Sequence, residues 1–119
     1  MDIHPVTPGH LLVVPIAHAT YLADLEASTG AALFGIASSL AEALRRSGLP
    51  CSGINLFYAD GVEAGQEVFH AHLHVIPRTT NDGFRVEARA WREPPPQRLT
   101  LDAHAAAIVD AHKGPTPRA

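Results

Sequence analysis

Three histidines alternate with apolar residues in the second half of the chain: His70, His72 and His74. On a β-strand, successive side chains point to opposite faces, so the three imidazoles would share one face at spacings of roughly 7 Å. Imidazole gains and loses protons near neutral pH and is a common metal ligand. The pattern predicts acid–base, nucleophilic or metal chemistry on one strand face. The intervening side chains would point into the core: Phe69, Ala71, Leu73 and Val75.

One interpretation of this row is a zinc site, because alternating histidines on a strand are able to ligate zinc. The usual companion ligand is a thiolate or a carboxylate at short spacing. The chain has one cysteine, and no acidic residue lies between Glu67 and Asp82. Three imidazoles with one open position would still suffice for a zinc hydrolase, so the spacing leaves this interpretation open.

A second interpretation is a nucleophilic histidine. Neutral imidazole attacks phosphorus, and a covalent intermediate divides one difficult displacement into two easier ones. Neighbouring rings, when protonated, would neutralise phosphoryl charge or donate a proton to the leaving oxygen. Gly65 and Gln66, shortly before His70, add a flexible backbone and an amide able to hold a phosphate oxygen.

The elements that must position these histidines are predicted from hydrophobic spacing and from proline and glycine breakers. Strands are expected over residues 9–15, 53–59 and 68–76, the last carrying the histidines and closed by Pro77. A helix is expected over residues 29–46. Three strands leave edges unpaired, which indicates further strands or a partner chain.

The predicted central helix shows one apolar stripe at three- and four-residue steps, formed by Leu33, Ile36, Ala37, Leu40 and Leu44. Ser28 or Thr29 is expected to cap its start. Beyond the histidine strand, residues 79–119 are expected to be a C-terminal extension of the same domain. Asn81-Asp82-Gly83 predicts a turn there, Thr100 a helix cap, and residues 101–113 a last helix with a modest apolar face.

Composition limits the classes of function. A chain of 119 residues with 46% hydrophobic residues suits one globular domain, residues 1–119. A net charge of −3 argues against a broad basic face for nucleic acid. No uninterrupted apolar run reaches the ~18–20 residues that span a bilayer, so no membrane partner is expected. The single cysteine, Cys51, fits a reducing compartment, and a cytoplasmic location is expected.

The stretch from Gly65 to Ile76 resembles the signature of the histidine triad (HIT) family, His-x-His-x-His followed by two apolar residues. Residues 2–15 and 59–66 resemble the nucleotide-binding segments of that family. The resemblance implies an α+β fold, an antiparallel sheet with a central helix packed on it, commonly as a homodimer. It also implies a nucleotide hydrolase or transferase that acts at the α-phosphate of a purine nucleotide derivative through a nucleotidyl-histidine intermediate. Dinucleoside polyphosphates or nucleoside phosphoramidates are the expected substrates, with no cofactor.

The resemblance assigns roles residue by residue. His72 resembles the nucleophile, His74 the ring that contacts the phosphate and leaving group, and His70 the ring that orients the nucleophile. His10 resembles an upstream histidine that supports this network. Three further residues resemble substrate-binding positions, for phosphate, ribose and base respectively: Gln66, Asp2 and Ile3.

Two further residues have weaker assignments. His18 matches a position that ligates zinc in members with an N-terminal Cys-x-x-Cys, which this sequence does not contain, so it is expected at the surface or at the entry to a helix, and no metal site is expected. Arg78 is expected either to meet a phosphate or to be a solvated strand-end charge.

The resemblance begins at the first residues of the chain, whereas family members usually carry a few dozen earlier residues that form part of the base pocket. We therefore expect an N-terminally shortened domain with weakened nucleotide affinity and intact triad geometry. Two alternatives to the nucleotidyl hydrolase or transferase stay open: a nucleotide-binding module with little catalysis, and a zinc-dependent hydrolase that uses the three histidines as ligands.

Overall fold

The computed structural model describes residues 1–85 and 94–114. The chain divides into two compact units, Met1–Phe84 and Arg85–Ala119. The first unit contains three strands and one long helix, in the order β1 (Leu11–Val13), α1 (Ala27–Arg46), β2 (Gly53–Tyr58) and β3 (Leu73–Arg78). The predicted α+β class is confirmed.

Within the described residues the three strands form one antiparallel sheet in the order β1-β3-β2. His74 lies on the central strand β3, opposite Leu12 on one side and Phe57 on the other. Pro77 does not close this strand as predicted but pairs with Ile54 inside it. The pairing with β1 ends at Val75. Pro77 has no N–H, and on the β1 side of the strand no partner residue requires a hydrogen bond from it.

The histidine strand is shorter than predicted. Because β3 begins at Leu73, only His74 lies on a strand, and His70 and His72 precede it. The prediction that all three rings share one strand face is therefore wrong. Ala71 and Val75 are buried as predicted, whereas Phe69 is 49% exposed.

Helix α1 packs its apolar stripe on the sheet. Four of its residues are buried, and they join Val13 and Val75 in the core: Leu33, Ala37, Ala41 and Leu44. Ile36 was predicted in this stripe but is half exposed, because it lies about 90° from the stripe's centre at 3.6 residues per turn. The helix begins at Ala27 without a side-chain cap, so the predicted cap at Ser28 or Thr29 is also wrong. By length and composition alone α1 is apolar enough to cross a membrane, a property that packed core helices share.

The second unit contains helix α2 (Arg98–Lys113), which begins three residues earlier than predicted, after Gln97. An ion pair one turn apart joins Arg98 to Asp102 at 2.9 Å on its first turns. Every residue of α2 is exposed, including its predicted apolar face.

Candidate active site

A histidine pair, in which His10 is buried and His74 is partly buried, joins the residue before β1 to the start of β3. His10 Nε2 lies 2.8 Å from His74 Nδ1, and the backbone N–H of Val6 donates to His10 Nδ1 at 3.3 Å. A neutral imidazole carries one proton, so these bonds assign the tautomers. His10 holds its proton on Nε2 and donates it to His74 Nδ1, which leaves the proton of His74 on Nε2. Burial lowers the pKa of both rings, which favours their neutral forms.

The position of His10 depends on the glycine before it. Gly9 has a φ of +90°, and a Cβ there would meet the side chains of Leu49, Leu44 and Pro77 at 3.0–3.3 Å. Only glycine combines that backbone conformation with this close approach. His10 is consequently held against the core, with 2% of its surface exposed.

The predicted ribose-binding residue is held next to this pair. The backbone N–H of Asp2 donates to the His10 carbonyl at 3.0 Å, and one Asp2 carboxylate oxygen lies 3.6 Å from His10 Nε2. The backbone N–H of His4 donates to the other oxygen and lowers the pKa of this carboxyl. The predicted base-pocket residue Ile3 is 86% exposed. The carboxylate of Asp2 is therefore brought to the histidines, and the side chain of Ile3 stays in solvent.

His72 has the arrangement that a nucleophile needs. Its Nδ1 lies 2.7 Å from the backbone carbonyl oxygen of His70. A carbonyl oxygen only accepts hydrogen bonds, so Nδ1 carries the proton and Nε2 keeps its lone pair. The His72 ring meets the His74 ring edge to face, with centroids 4.8 Å apart. A free lone pair on one ring thus lies beside a ring that carries a proton on Nε2.

A second histidine pair holds His70. His70 Nε2 donates to the carbonyl of Pro15 at 2.9 Å, so its Nδ1 accepts from His18 Nδ1 at 3.1 Å. The hydroxyl of Thr20 in turn donates to His18 Nε2 at 3.3 Å. His18 is exposed as predicted, but its contact with His70 was missed. The two residues are 52 positions apart, so local spacing carries no signal of this contact.

Gln66 is buried, and its amide bonds only to backbone groups. Its oxygen accepts from the N–H of Gly61 at 2.8 Å, and its nitrogen donates to the carbonyls of Thr20 at 2.8 Å and Val68 at 3.2 Å. These bonds tie the loop before the histidines to the chain near Thr20. A phosphate contact by Gln66 would require it to exchange one of them.

Arg78 is also occupied by internal contacts. Its guanidinium bonds to both carboxylate oxygens of Asp82, at 2.6 and 3.0 Å, to the side chain of Asn55, and to the carbonyl of Phe84. Asp82 in turn accepts from the backbone of Thr79 and Phe84. The geometry thus gives Arg78 a role in fixing the turn after β3.

We tested whether these side chains fit a metal ion. Among the described residues, one group brings three ligand atoms within 4.8 Å of one another: Asp2, His10 and His74. A neutral histidine that binds a metal through Nε2 carries its proton on Nδ1, where it needs an acceptor. The N–H of Val6 already points at Nδ1 of His10, so this set fits a shared proton better than a metal.

The remaining histidines do not form a complete zinc site among the described residues. A structural zinc takes four ligands, and the pair formed by His18 and His70 offers two, with no third ligand grouped with them in the described residues. The rings of His70, His72 and His74 each bond to a different partner. The geometry therefore disfavours the zinc hydrolase.

The chain is similar to known proteins over its first two thirds. A model of the HIT domain matches residues 1–81. An uncharacterized HIT-like protein of Borreliella burgdorferi is 42% identical over 85 residues, 71% of this chain and 61% of that protein. The asymmetrical bis(5'-nucleosyl)-tetraphosphatase of Schizosaccharomyces pombe is 35% identical over 82 residues, 69% of this chain and 44% of that enzyme.

The fold is similar to that of solved structures. A HIT family protein from Bacillus anthracis superposes with a TM-score of 0.77 and 32% identity, over 92% of this chain and 77% of that one. The chain spans about three fifths of the length of the first three curated relatives that it matches, 61%, 62% and 58%.

Proposed function

This chain belongs to the HIT domain family, and we propose that it hydrolyses or transfers a nucleotidyl group at the α-phosphate of a purine nucleotide derivative, with His72 as the nucleophile. One observation carries the proposal: the bond from His72 Nδ1 to the His70 carbonyl leaves Nε2 with its lone pair, beside His74. The name of the yeast relative supports a dinucleoside polyphosphate as the first substrate to assay.

The proposed reaction has two displacements. His72 Nε2 attacks the α-phosphorus, so a P–N bond forms while the P–O bond to the leaving group breaks. A polyphosphate leaves as an anion, and the Nε2–H of His74 donates a hydrogen bond to an oxygen that gains charge, without transferring its proton. Water or another acceptor then attacks phosphorus and releases its proton to solvent, the P–N bond breaks, and the electron pair returns to His72.

The test is His72→Ala with diadenosine tetraphosphate as substrate. We expect turnover to fall about 10³–10⁶-fold, the range for loss of a covalent nucleophile, and the nucleotidyl-protein adduct to disappear from quenched reactions analysed by mass spectrometry. His104→Ala, on an exposed face of α2, is the matched control and should keep the wild-type rate. A His72→Ala variant with near-wild-type turnover would show that the nucleophile is wrong.

The alternative function is a nucleotide-binding module with little catalysis. The observation that favours it is the amide of Gln66, whose hydrogen bonds all go to backbone groups. Binding of AMP by wild-type protein, with neither turnover nor a trapped adduct, would select this alternative.

We also propose that the chain forms a homodimer. Strand β2 lies at an edge of the sheet, and four large apolar side chains of α1 and β2 are 39–63% exposed: Phe34, Ile36, Leu56 and Phe57. A second copy that paired with the open edge would also cover those of the exposed apolar side chains that flank it. Sedimentation should give the mass of two chains, and Phe34→Lys should shift the protein towards one chain. A wild-type monomer at high protein concentration would exclude the dimer.

A further inference from the structure

The segment that carries the nucleophile is held by side-chain and loop contacts. Residues 70–72 precede β3 and have no strand partner. The backbone N–H of Ala71 donates to the carbonyl of Ala19 at 2.6 Å, and the ring of His70 donates to the carbonyl of Pro15 at 2.9 Å. His18 contacts the other nitrogen of the same ring at 3.1 Å. The stretch from Pro15 to His18 therefore fixes His70 from both sides of its imidazole.

The hydrogen bonds give every ring in this chain of contacts a single tautomer. The Pro15 carbonyl only accepts, so His70 carries its proton on Nε2 and leaves Nδ1 as the acceptor for a proton on His18 Nδ1. His18 Nε2 is then an acceptor, which the hydroxyl of Thr20 supplies with a proton. Each donor meets one acceptor, so the set holds the His70 ring in one orientation.

The backbone carbonyl of His70 is what gives His72 its reactive tautomer. Which nitrogen of a neutral imidazole carries the proton depends on the hydrogen bond that the other nitrogen makes. Without an acceptor near Nδ1, the proton of His72 would be free to move to Nε2 and remove the lone pair that attacks phosphorus. A shift of the His70 backbone would have this effect even though no atom of His72 had been changed.

We propose that His18 is a positioning residue for the nucleophile: through the ring of His70, it holds the His70 carbonyl oxygen against Nδ1 of His72. The kinetic consequence rests on the function proposed above, whereas the tautomer of His72 can be measured without any substrate. His18 is exposed and lies outside the buried core, so its removal should disturb this contact far more than it disturbs folding.

The kinetic test compares His18→Ala with His18→Asn. One neutral hydrogen bond contributes about 1 kcal/mol, so we expect His18→Ala to lower kcat about fivefold while KM changes less than about twofold. The side-chain amide of asparagine can donate close to the place of Nδ1, so His18→Asn should recover most of the loss. His104→Ala is again the control. An unchanged kcat in His18→Ala, or an equal loss in both variants, would overturn the proposal.

The substrate-free test is ¹⁵N NMR of the imidazole nitrogens at a pH where His72 is neutral. Wild-type His72 should show a proton on Nδ1, and His18→Ala should move part of the population to Nε2. If His72 keeps its tautomer in His18→Ala, the proposal fails whatever the protein's activity. If the tautomer shifts but wild-type protein transfers no nucleotidyl group, the positioning role stands and the proposed function fails.

A metal control separates this role from zinc binding. Wild-type protein treated with EDTA should keep both its rate and its His18 and His70 NMR signals, and added Zn²⁺ should restore nothing. If EDTA changes the rate and the NMR signals of His18 and His70, and stoichiometric Zn²⁺ restores both, these two histidines are metal ligands and the proposal is overturned.

Discussion

Two histidine pairs make nearly the same contact in very different surroundings. The nitrogens of His10 and His74 lie 2.8 Å apart, and those of His18 and His70 lie 3.1 Å apart. The first pair joins a buried residue to the central strand of the sheet, and the second joins an exposed residue to a segment without a strand partner. Surroundings, more than the contact itself, therefore decide what each pair does.

The buried pair controls protonation, and the exposed pair controls orientation. Removal from water disfavours the imidazolium form, so the pKa of both His10 and His74 is lowered and their rings are kept as neutral donors and acceptors. The exposed pair instead holds one ring between a carbonyl and a second imidazole. The first pair therefore sets the protonation of His74 through burial. The second pair acts on the lone pair of His72 through the orientation of His70.

The largest expected difference between the pairs is in stability. His10→Ala removes a buried ring and leaves His74 Nδ1 without its donor, so we expect the free energy of unfolding to fall by about 2–4 kcal/mol. In His18→Ala, water can replace the lost hydrogen bond to His70, and we expect the free energy of unfolding to fall by less than about 1 kcal/mol. Urea denaturation of both variants measures the two losses. Equal losses would mean that burial does not distinguish the pairs.

A smaller effect is expected in the dependence of stability on pH. The pKa of His10 and of His74 is lowered in the folded protein, and both return towards 6.5 on unfolding. Between the lowered values and 6.5 the unfolded chain binds more protons than the folded one, so the free energy of unfolding falls as the pH drops through this window. The pKa of neighbouring Asp2 is lowered from 3.8, so this carboxyl stays ionised between pH 5.5 and pH 7.5 and does not contribute to the difference.

The measurement is the urea midpoint at pH 7.5 and at pH 5.5. Wild-type protein should be less stable at the lower pH, and His10→Ala should show a smaller difference between the two midpoints because one of the two rings with a lowered pKa is gone. His18→Ala is the matched control and should keep the wild-type difference. Stability that rose on acidification would contradict a lowered pKa of His10 and His74 in the folded protein.

Sequence reasoning identified the family and most of the elements because these depend on local patterns. The spacing of His70, His72 and His74 is a property of five consecutive residues, and the stripe of α1 repeats within one helix. The wrong predictions lie where hydrogen bonds from a distant segment replace strand pairing. Alternation predicted a strand from residue 68, but carbonyls of the Pro15–Ala19 stretch bind His70 and Ala71 instead, so the strand begins at Leu73.

The same division applies to the site. The motif assigns Gln66 to phosphate, and the charge of Arg78 suits either a phosphate or solvent; only the folded chain shows that both side chains form hydrogen bonds to neighbouring backbone and side-chain groups. His18 was assigned to the surface by the same local reasoning. Its exposure is as predicted, but its contact with His70 spans 52 residues, a separation at which spacing carries no information.

By itself the sequence determined which imidazoles stand two residues apart, which helix face is apolar and which family the chain belongs to, because these are short-range patterns in the order of residues. The tertiary structure decided which histidines pair, which rings are buried and which nitrogen of each ring carries the proton. The partners that fix those protons come from residues 64 positions away in one pair and 52 in the other. A ring's tautomer depends on the atoms that surround it, and only the folded chain brings those atoms together.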